Sequence, residues 1–315
     1  MTRDLAIETH DLSRSFGGVR AVDGLELRVP KGGVFGFLGP NGAGKTTTIR
    51  MILGLIRADR GRVEILGETM GPKSRRQLLA KIGALVETPA LYDHLSGREN
   101  LEHTRRLLGL DRGRLDAVLE TVALVGDADR RVAGYSLGMR QRLGVALALL
   151  AEPELLILDE PTNGLDPAGI REMRQLITDL PREHGVTVFL SSHLLAEVEQ
   201  VADALAVLQR GRLVFQGDLS QLRGRQQRRV VVGLDRPDEA LGALGSSEAG
   251  SGQVVEGRLV WTLDPAVDED LEGIAQGLNA RLVGEGFRIH HLSCEQPSLE
   301  RLFLELTDGR ETTDA

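Results

Sequence analysis

The sequence predicts an α/β protein with a large layered domain followed by a small α+β domain. Over about the first 220 residues, short apolar runs alternate with helical segments, which is the pattern of helices packed on a sheet. The chain has 315 residues, more than a single domain of about 150 residues requires. The composition breaks at the basic run RGRQQRR, residues 223–229. We therefore expect a first domain at 1–222, a linker at 223–229 and an accessory α+β domain at 230–315.

The first domain holds four short apolar runs bounded by turn or charged residues, as in strands that are buried on both faces of a sheet. These strands are predicted at 33–38, 82–86, 155–158 and 186–190. Helices are predicted at 45–53, 137–150, 167–180 and 194–202. Antiparallel strands are expected at 5–7 and 25–29, and at 204–208 and 213–215.

Beyond residue 229 the sequence predicts the order strand, helix, strand, strand, helix, strand. The predicted elements are strand 230–234, helix 238–244, strands 253–256 and 259–263, helix 269–284 and strand 287–292. This β-α-β-β-α-β order is the ferredoxin-like pattern. A last amphipathic segment, SLERLFLELT at 298–307, carries an apolar stripe at helical spacing. Such a stripe must bury against another surface.

Composition and charge argue against several classes of protein. The 41% hydrophobic and 27% charged residues are ordinary for a globular protein. A net charge of −8 argues against broad binding to nucleic acid, which needs a basic face, so no nucleic-acid partner is expected. The single cysteine, Cys294, suits a reducing cytosol. The acidic start is unlike a signal peptide, and the longest apolar stretch, 145–151, is far shorter than the roughly 20 residues that span a bilayer.

The strongest chemical signal is GPNGAGKT at 39–46, which matches G-x-x-x-x-G-K-[ST] between a predicted strand and a predicted helix. The glycines let backbone N–H groups curl around phosphate oxygens, and the helix N-terminus adds partial positive charge. Lys45 is expected to reach the β- and γ-phosphates, and the Thr46 hydroxyl to ligate Mg²⁺. The predicted nucleotide-binding residues of this loop are Gly39, Asn41, Gly42, Ala43, Gly44, Lys45, Thr46 and Thr47.

A second signal is LLILDEP at 155–161, a predicted buried strand that ends in two carboxylates. Ligands of α/β sheets bind at the carboxyl ends of the strands. Asp159 is therefore expected to hold Mg²⁺ through water, and Glu160 to orient or deprotonate the attacking water. An Asp-Glu pair at the end of a strand is usually solvated surface when it occurs alone. The phosphate loop upstream favours a functional role for this pair instead.

With these motifs and further segments in the same order, about the first 217 residues resemble the ABC ATPase family. The resemblance implies a P-loop NTPase fold of the ABC ATPase type, with a mixed-sheet core, an antiparallel β subdomain and a helical subdomain. Phe16, in SFGGVRAVDG, looks like the aromatic residue that stacks on adenine, with Val19 and Val22 beside it. An ordinary core phenylalanine is the alternative.

Three more segments resemble motifs of the family. YSLGMRQRL resembles the signature motif, in which Ser136 and Gly138 contact the γ-phosphate bound to the opposite subunit. NGLDP resembles the D-loop, whose Asp166 communicates between the two sites. SSH resembles the switch, whose His193 contacts the γ-phosphate. Ser136, a small polar donor, and Gly138 lie at the N-terminus of a predicted helix, which also suits an anion site.

Two departures from the family pattern point to one branch of it. Where the family commonly has glutamine after the strand IGALV, this chain has Glu87. A carboxylate can still ligate Mg²⁺ or hold water, but it adds negative charge near the triphosphate. The signature carries Leu137 and Met139 where the family has glycine and glutamine. Together with ETPALYDHLSGREN and SLERLFLELT, these variants resemble the bacitracin and lantibiotic branch of drug-resistance exporters.

The resemblance implies ATP and Mg²⁺ as ligands, with Lys45, Glu160 and His193 as catalytic residues. It also implies a homodimer, separate membrane permease subunits and a place on the inner face of the cell membrane. In the family, the segment 87–101 docks a helix of the membrane subunit, and the apolar contacts are expected from Leu91, Tyr92 and Leu95. The implied cargo is an antibiotic, a peptide or a lipid-like compound.

Other functions stay open from the sequence. One is a soluble ABC ATPase acting in translation or on DNA, although members of those types carry two cassettes or long coiled coils, and this sequence has one cassette and no heptad run. Another is a regulatory or sensory role of the C-terminal domain. His290, His291 and Cys294 are weak candidates for a zinc site, because adjacent strand residues point to opposite faces and the sequence suggests no fourth ligand.

Overall fold

A computed structural model of the chain describes residues 4–219, 221, 228–245, 250–264 and 271–295. The chain divides into two compact units, residues 1–219 and 220–315. Most of the predicted linker and the segment 298–307 lie outside the described residues.

The first unit is described completely from residue 4 to residue 219. Its strands are β1 (Leu5–Phe16), β2 (Val19–Leu25), β3 (Arg28–Pro30), β4 (Val34–Leu38), β5 (Arg60–Ile65), β6 (Glu68–Thr69), β7 (Ile82–Leu85), β8 (Leu155–Asp159), β9 (Thr187–Ser192), β10 (Ala204–Gln209) and β11 (Arg212–Asp218). Its α-helices are α1 (Lys45–Ile52), α2 (Arg75–Leu79), α3 (Gly97–Leu108), α4 (Arg114–Thr121), α5 (Leu137–Leu149), α6 (Pro167–His184) and α7 (Leu195–Val198).

The core of this unit is a six-stranded sheet in the order β11-β10-β4-β9-β8-β7. The strands from β10 to β7 are parallel, and β11 is antiparallel to β10, so the sheet is mixed. Every residue of β4, β8 and β9 is buried. Continuous apolar runs of this length mark doubly buried strands, which is why the predicted bounds of these strands agree with the structure to within two residues.

The carboxyl ends of β4, β8 and β9 lie together at one edge of the sheet. Leu38 pairs with Ser192, and Asp159 pairs with Ser191. The chain continues from these ends into the phosphate loop, Glu160 and His193. The parallel pairing therefore brings together three motifs that are far apart in sequence.

The second sheet of the unit is antiparallel, in the order β2-β1-β5-β6, with β3 also paired to β1. The sequence predicted strands here at 5–7 and 25–29, and both ranges were wrong in extent. β1 extends to Phe16, and β2 and β3 replace the single second strand. β1 alternates buried with partly exposed residues, so a search for apolar runs detects only part of it.

The four helices predicted in this unit differ from the structure only at their ends, whereas α2 and α4 were not predicted. α6 continues through Pro181 to His184, where Gly185 closes it with a left-handed φ of 66°. α7 ends at Val198 instead of 202. α3 was not predicted, although the reciprocal hydrogen bonds between Ser96 and Glu99 form the capping box that the spacing Ser-x-x-Glu indicates.

The second unit contains a four-stranded antiparallel sheet in its described part. Its elements are β12 (Arg229–Leu234), α8 (Pro237–Leu244), β13 (Gly250–Val255), β14 (Arg258–Leu263), α9 (Leu271–Gly284) and β15 (Ile289–Glu295). The sheet order is β13-β14-β12-β15. The β-α-β-β-α-β order matches the ferredoxin-like pattern. Among all described residues, no helix combines the length and the apolar character needed to cross a bilayer.

Candidate active site

The phosphate loop joins β4 to α1 and requires glycine at two positions. Gly44 has a φ of 109°, and a Cβ there would lie 2.3 Å from the carbonyl oxygen of Ala21. A Cβ at Gly39 would lie 2.5 Å from the carbonyl oxygen of Leu208. α1 begins at Lys45 with no side-chain cap and no acidic residue in its first turn, so its first backbone N–H groups can bind an anion. Asn41, Gly42, Ala43 and Thr47 lie in the same loop and in the first turn of α1.

Lys45, Glu160 and His193 form one chain of polar contacts. Lys45 Nζ donates a hydrogen bond to the carbonyl of Gly39 at 2.6 Å and lies 3.2 Å from Glu160 Oε1. The other carboxylate oxygen, Oε2, lies 2.7 Å from His193 Nδ1. Glu160 therefore connects the lysine of the phosphate loop to the histidine that follows β9.

The backbone at Glu160 is held in an uncommon conformation. Its φ is 51°, in the left-handed region that non-glycine residues seldom adopt. The Glu160 N–H donates to Ser191 Oγ at 3.0 Å. Strained backbone of this kind clusters at functional sites, where the surrounding structure fixes it. The turn and the serine together fix where this carboxylate points.

Asp159 and Thr46 are brought together as the sequence predicted. Thr46 Oγ1 donates to Asp159 Oδ2 at 2.9 Å, and Ser191 Oγ donates to Asp159 Oδ1. Oxygen donors of this kind suit Mg²⁺, which binds through one or two protein oxygens together with phosphates and water. No role for Ser191 was predicted from the sequence. Its contact with both acids depends on the pairing of β8 with β9, which the SSH motif does not reveal.

Phe16 is placed at the surface, with 48% of the residue exposed. Its cross-strand partner is Val19, which is also exposed, and the guanidinium of Arg14 lies 4.8 Å from the centre of the ring. Val22, in the same hairpin, is fully buried in the core. An exposed ring can stack on a base, which an ordinary core phenylalanine cannot do.

Ser136 and Asp166 each cap a helix. Ser136 Oγ accepts a hydrogen bond from the N–H of Met139 at 3.2 Å, and Asp166 Oδ1 accepts one from the N–H of Gly169 at 2.9 Å. Within residues 4–219, no hydrogen bond or ion pair joins Ser136 to the phosphate loop. Gly138 lies at the start of α5, where a Cβ would be 3.8 Å from Gly169 Cα. Among residues 4–219, Ser136 is thus engaged in capping its own helix and not in a hydrogen bond with the phosphate loop.

Glu87 follows β7 and has a left-handed φ of 65°. Its carboxylate forms an ion pair with Arg50, in the last turn of α1. Among the described residues, no hydrogen bond or ion pair joins Glu87 to Thr46 or Asp159. The structure thus does not bring Glu87 together with the other two predicted magnesium ligands, and Arg50 is a partner that no motif in the sequence indicated.

The mixed sheet, the phosphate loop and the acids at the strand ends define a P-loop ATPase of the nucleotide-binding cassette class. The chain belongs to the ABC transporter family, whose profile matches residues 22–163. It is an ATP-binding subunit and an ATPase of this family. ATP-binding subunits of ABC transporters work with separate membrane permease components.

Several known proteins are similar to the chain. The bacitracin transport ATP-binding protein BcrA of Bacillus licheniformis is 45% identical over 236 residues, 75% of this chain and 77% of that protein. The daunorubicin resistance ATP-binding protein DrrA3 of Streptomyces coeruleorubidus is 37% identical over 325 residues, 99% of each chain. The structure of cbiO1 from Clostridium perfringens, part of the ABC transporter complex cbiONQ, has a TM-score of 0.65 at 26% identity, over 71% of this chain and 92% of that one. The predicted fold and the predicted branch of exporters are confirmed.

Proposed function

We propose that this chain powers a membrane exporter of an antibiotic, a peptide or a lipid-like compound through ATP-driven closure of a homodimer. The cargo class is supported by the names of BcrA and DrrA3, which state bacitracin transport and daunorubicin resistance. The ATP-driven step is supported by one observation above all, the Lys45–Glu160–His193 chain of contacts at the carboxyl edge of the central sheet. The subunit works in the cytoplasm, on the inner face of the membrane, where its permease holds it.

The phosphates are bound by Lys45 and the backbone amides of the phosphate loop. Thr46 and Asp159 would hold Mg²⁺. When bound, Mg²⁺ neutralises charge that develops on the phosphate oxygens. Ser191 keeps the Asp159 carboxylate turned toward Thr46, since it donates to the other oxygen of that carboxylate. The adenine stacks on the exposed ring of Phe16.

Glu160 orients or deprotonates the attacking water. The left-handed turn and the hydrogen bond to Ser191 fix the start of its side chain, while His193 holds Oε2. A triphosphate that binds Lys45 competes with Glu160 Oε1 for the same ammonium group, so that oxygen is released to accept a proton from water. His193 then keeps the Glu160 carboxylate aligned, so that the water attacks the γ-phosphate in line. His193 also contacts that phosphate itself.

The second half of each nucleotide site comes from the partner copy. Ser136 and Gly138, at the start of α5, donate to the γ-phosphate across the dimer interface, where the helix N-terminus adds partial positive charge. Asp166, at the start of α6, couples the two sites. This arrangement is supported by the positions of Ser136 and Asp166, which cap the starts of α5 and α6.

The permease docks on the segment 87–101. Tyr92 is exposed there and Leu91 and Leu95 are half-buried, which gives an apolar contact for a helix. Asn100 holds this segment by two hydrogen bonds with the backbone of Tyr92. A docked helix can therefore act on Glu87 and on α3 at the same time.

The transport role is tested by capture from membranes of the native host. Tagged Glu160→Gln protein with Mg-ATP is used to hold the closed state, and the proteins that come with it are identified. Lys45→Ala protein is the matched control, since it cannot bind the phosphates. A polytopic membrane protein in stoichiometric amount with Glu160→Gln supports the exporter subunit. Recovery of ribosomal or DNA-bound proteins instead overturns it in favour of a soluble ABC ATPase.

A further inference from the structure

Two glutamates follow neighbouring parallel strands at the same edge of the central sheet. Leu85 of β7 pairs with Leu158 of β8, so Glu87 and Glu160 each lie two residues beyond a paired position. Both have left-handed backbone, with φ of 65° and 51°. Adjacent strands are separated by about 4.8 Å. The chain therefore passes through a left-handed residue just after each strand and sets a second carboxylate at the edge that carries Glu160.

α1 supplies a cation to each of these glutamates. Lys45, in its first turn, lies 3.2 Å from Glu160, and Arg50, in its last turn, forms an ion pair with Glu87. The second pair is solvated, with 41% of the Arg50 side chain and 60% of the Glu87 side chain exposed. One helix thus balances the charge at both strand ends.

The loop that begins at Glu87 is held at two further points. Pro89 packs so closely on Gly144 of α5 that a Cβ at Gly144 would lie 2.8 Å from Pro89 Cγ. Tyr92 N–H donates to Asn100 Oδ1 at 2.8 Å, and Asn100 Nδ2 donates to the Tyr92 carbonyl at 3.1 Å. These contacts tie the later part of the loop to α5 and α3. Arg50 ties its first residue to α1.

We propose that Arg50 is a positioning residue for ATP binding and hydrolysis that acts through Glu87. Its guanidinium keeps the Glu87 carboxylate against α1 and offsets its charge, which lets a glutamate occupy this strand end beside a bound triphosphate. Without Arg50, the carboxylate repels the phosphate oxygens. The inference rests on the proposed phosphate-binding role of Lys45 and its loop.

The test compares Arg50→Gln, Glu87→Gln and the double variant. Affinity for Mg-ATP is measured at equilibrium in a Glu160→Gln background, and kcat and KM are measured with Glu160 intact. Arg50→Gln is expected to weaken Mg-ATP binding by about 3–10-fold, because it leaves one uncompensated charge near the triphosphate. Glu87→Gln alone does not weaken binding. The affinity of the double variant for Mg-ATP is expected to return to within about twofold of that of the parent. Arg50→Lys, which keeps the charge, is expected to lose less affinity than Arg50→Gln.

Two controls separate charge from structure. Arg57 is exposed a short way beyond α1, so Arg57→Gln removes the same charge and is expected to leave affinity unchanged. Raising the salt concentration to about 0.5 M is expected to shrink the Arg50→Gln defect, since screening acts on charge and not on packing. All variants are checked for an unchanged melting temperature.

The inference is overturned if the Arg50→Gln defect persists in the Glu87→Gln background, if Arg57→Gln gives the same defect, or if high salt leaves the defect intact. A parent protein that binds no Mg-ATP, or a Lys45→Ala variant that binds it normally, contradicts the proposed phosphate site instead. The two failures are therefore distinguishable.

Discussion

Lys45 Nζ lies 3.2 Å from Glu160 Oε1, and 6% and 20% of the two side chains are exposed. The residue proposed to bind phosphate and the residue proposed to act on water thus neutralise each other, and both side chains are largely buried. Attraction between such groups is stronger than at the surface because the local dielectric is lower. In the proposed mechanism, phosphate binding and activation of water are therefore linked through one ion pair.

The first prediction concerns the Glu160 side of this pair. Glu160→Gln is expected to lower kcat by at least about 100-fold, because the base is lost. The same change is expected to tighten Mg-ATP binding by about 3–10-fold, because no carboxylate then competes for Lys45. Turnover and equilibrium binding are both measured. Glu154→Gln, which removes an exposed partner of Lys81, is the control and should change neither, whereas weaker binding by Glu160→Gln would contradict the competition.

The second prediction concerns Ser191, which is fully buried and touches both acids. Ser191→Ala leaves Asp159 Oδ1 and the Glu160 N–H without this partner, which is expected to cost about 1–3 kcal/mol in the free energy of unfolding. It is also expected to lower kcat by about tenfold and to raise the Mg²⁺ concentration needed for half-maximal turnover, since Asp159 is no longer held toward Thr46.

The control for Ser191 is its neighbour. Ser192 Oγ accepts from the N–H of Leu194 at 3.0 Å and lies on the same strand. Ser192→Ala is expected to leave the Mg²⁺ dependence unchanged. If both variants shift that dependence equally, Ser191 has no particular role in holding Asp159.

The third prediction concerns pH and helix α3. Hydrogen bonds from Arg105, and then from Arg106, lower the pKa of Glu102 to about 2. A carboxylate whose pKa is depressed in the folded state stabilises the fold above its unfolded pKa of about 4.3, and the stabilisation is lost as the pH falls through the folded value. The wild type is therefore expected to have a higher melting temperature than Glu102→Gln at neutral pH, by a small margin because the group lies near the surface, where solvent and salt screen ion pairs.

The margin is measured as a difference in melting temperature between the two proteins. It is expected to stay constant from about pH 7 to pH 5 and to shrink between about pH 4 and pH 2. Glu120→Gln, at an exposed position of α4, serves as the control for a change of net charge. A margin that is the same at about pH 3 as at pH 7 would contradict the role of the Arg105 and Arg106 hydrogen bonds.

Much of the first unit was predictable because its signals are local. Strands β4, β8 and β9 are buried on both faces, so each is one continuous apolar run. The phosphate loop is contiguous, and its glycines, lysine and threonine are fixed by the spacing. Asp159, Glu160 and His193 were found because each directly follows or ends such a strand.

The remainder depends on pairing that no local pattern encodes. Ser191 contacts Asp159 and Glu160 because β9 lies beside β8 in one particular register. Arg50 meets Glu87 because the end of α1 lies against the loop after β7, and an arginine in a helix carries no sign of its partner. The length of β1 was underestimated because its exposed face is polar. Alternation of apolar and polar residues is a weaker signal than a continuous apolar run.

In the proposed dimer, each nucleotide site takes its phosphate loop from one copy and its signature serine from the other. Lys45→Ala and Ser136→Arg proteins are each expected to be nearly inactive alone. In an equal mixture, half of the dimers are mixed and each carries one intact site of two, so ATPase activity is expected to recover to about a quarter of the wild-type value. The Lys45→Ala/Ser136→Arg double variant mixed with Lys45→Ala provides no intact site and should recover nothing. No recovery in the first mixture would contradict the shared site and with it the account of dimer closure.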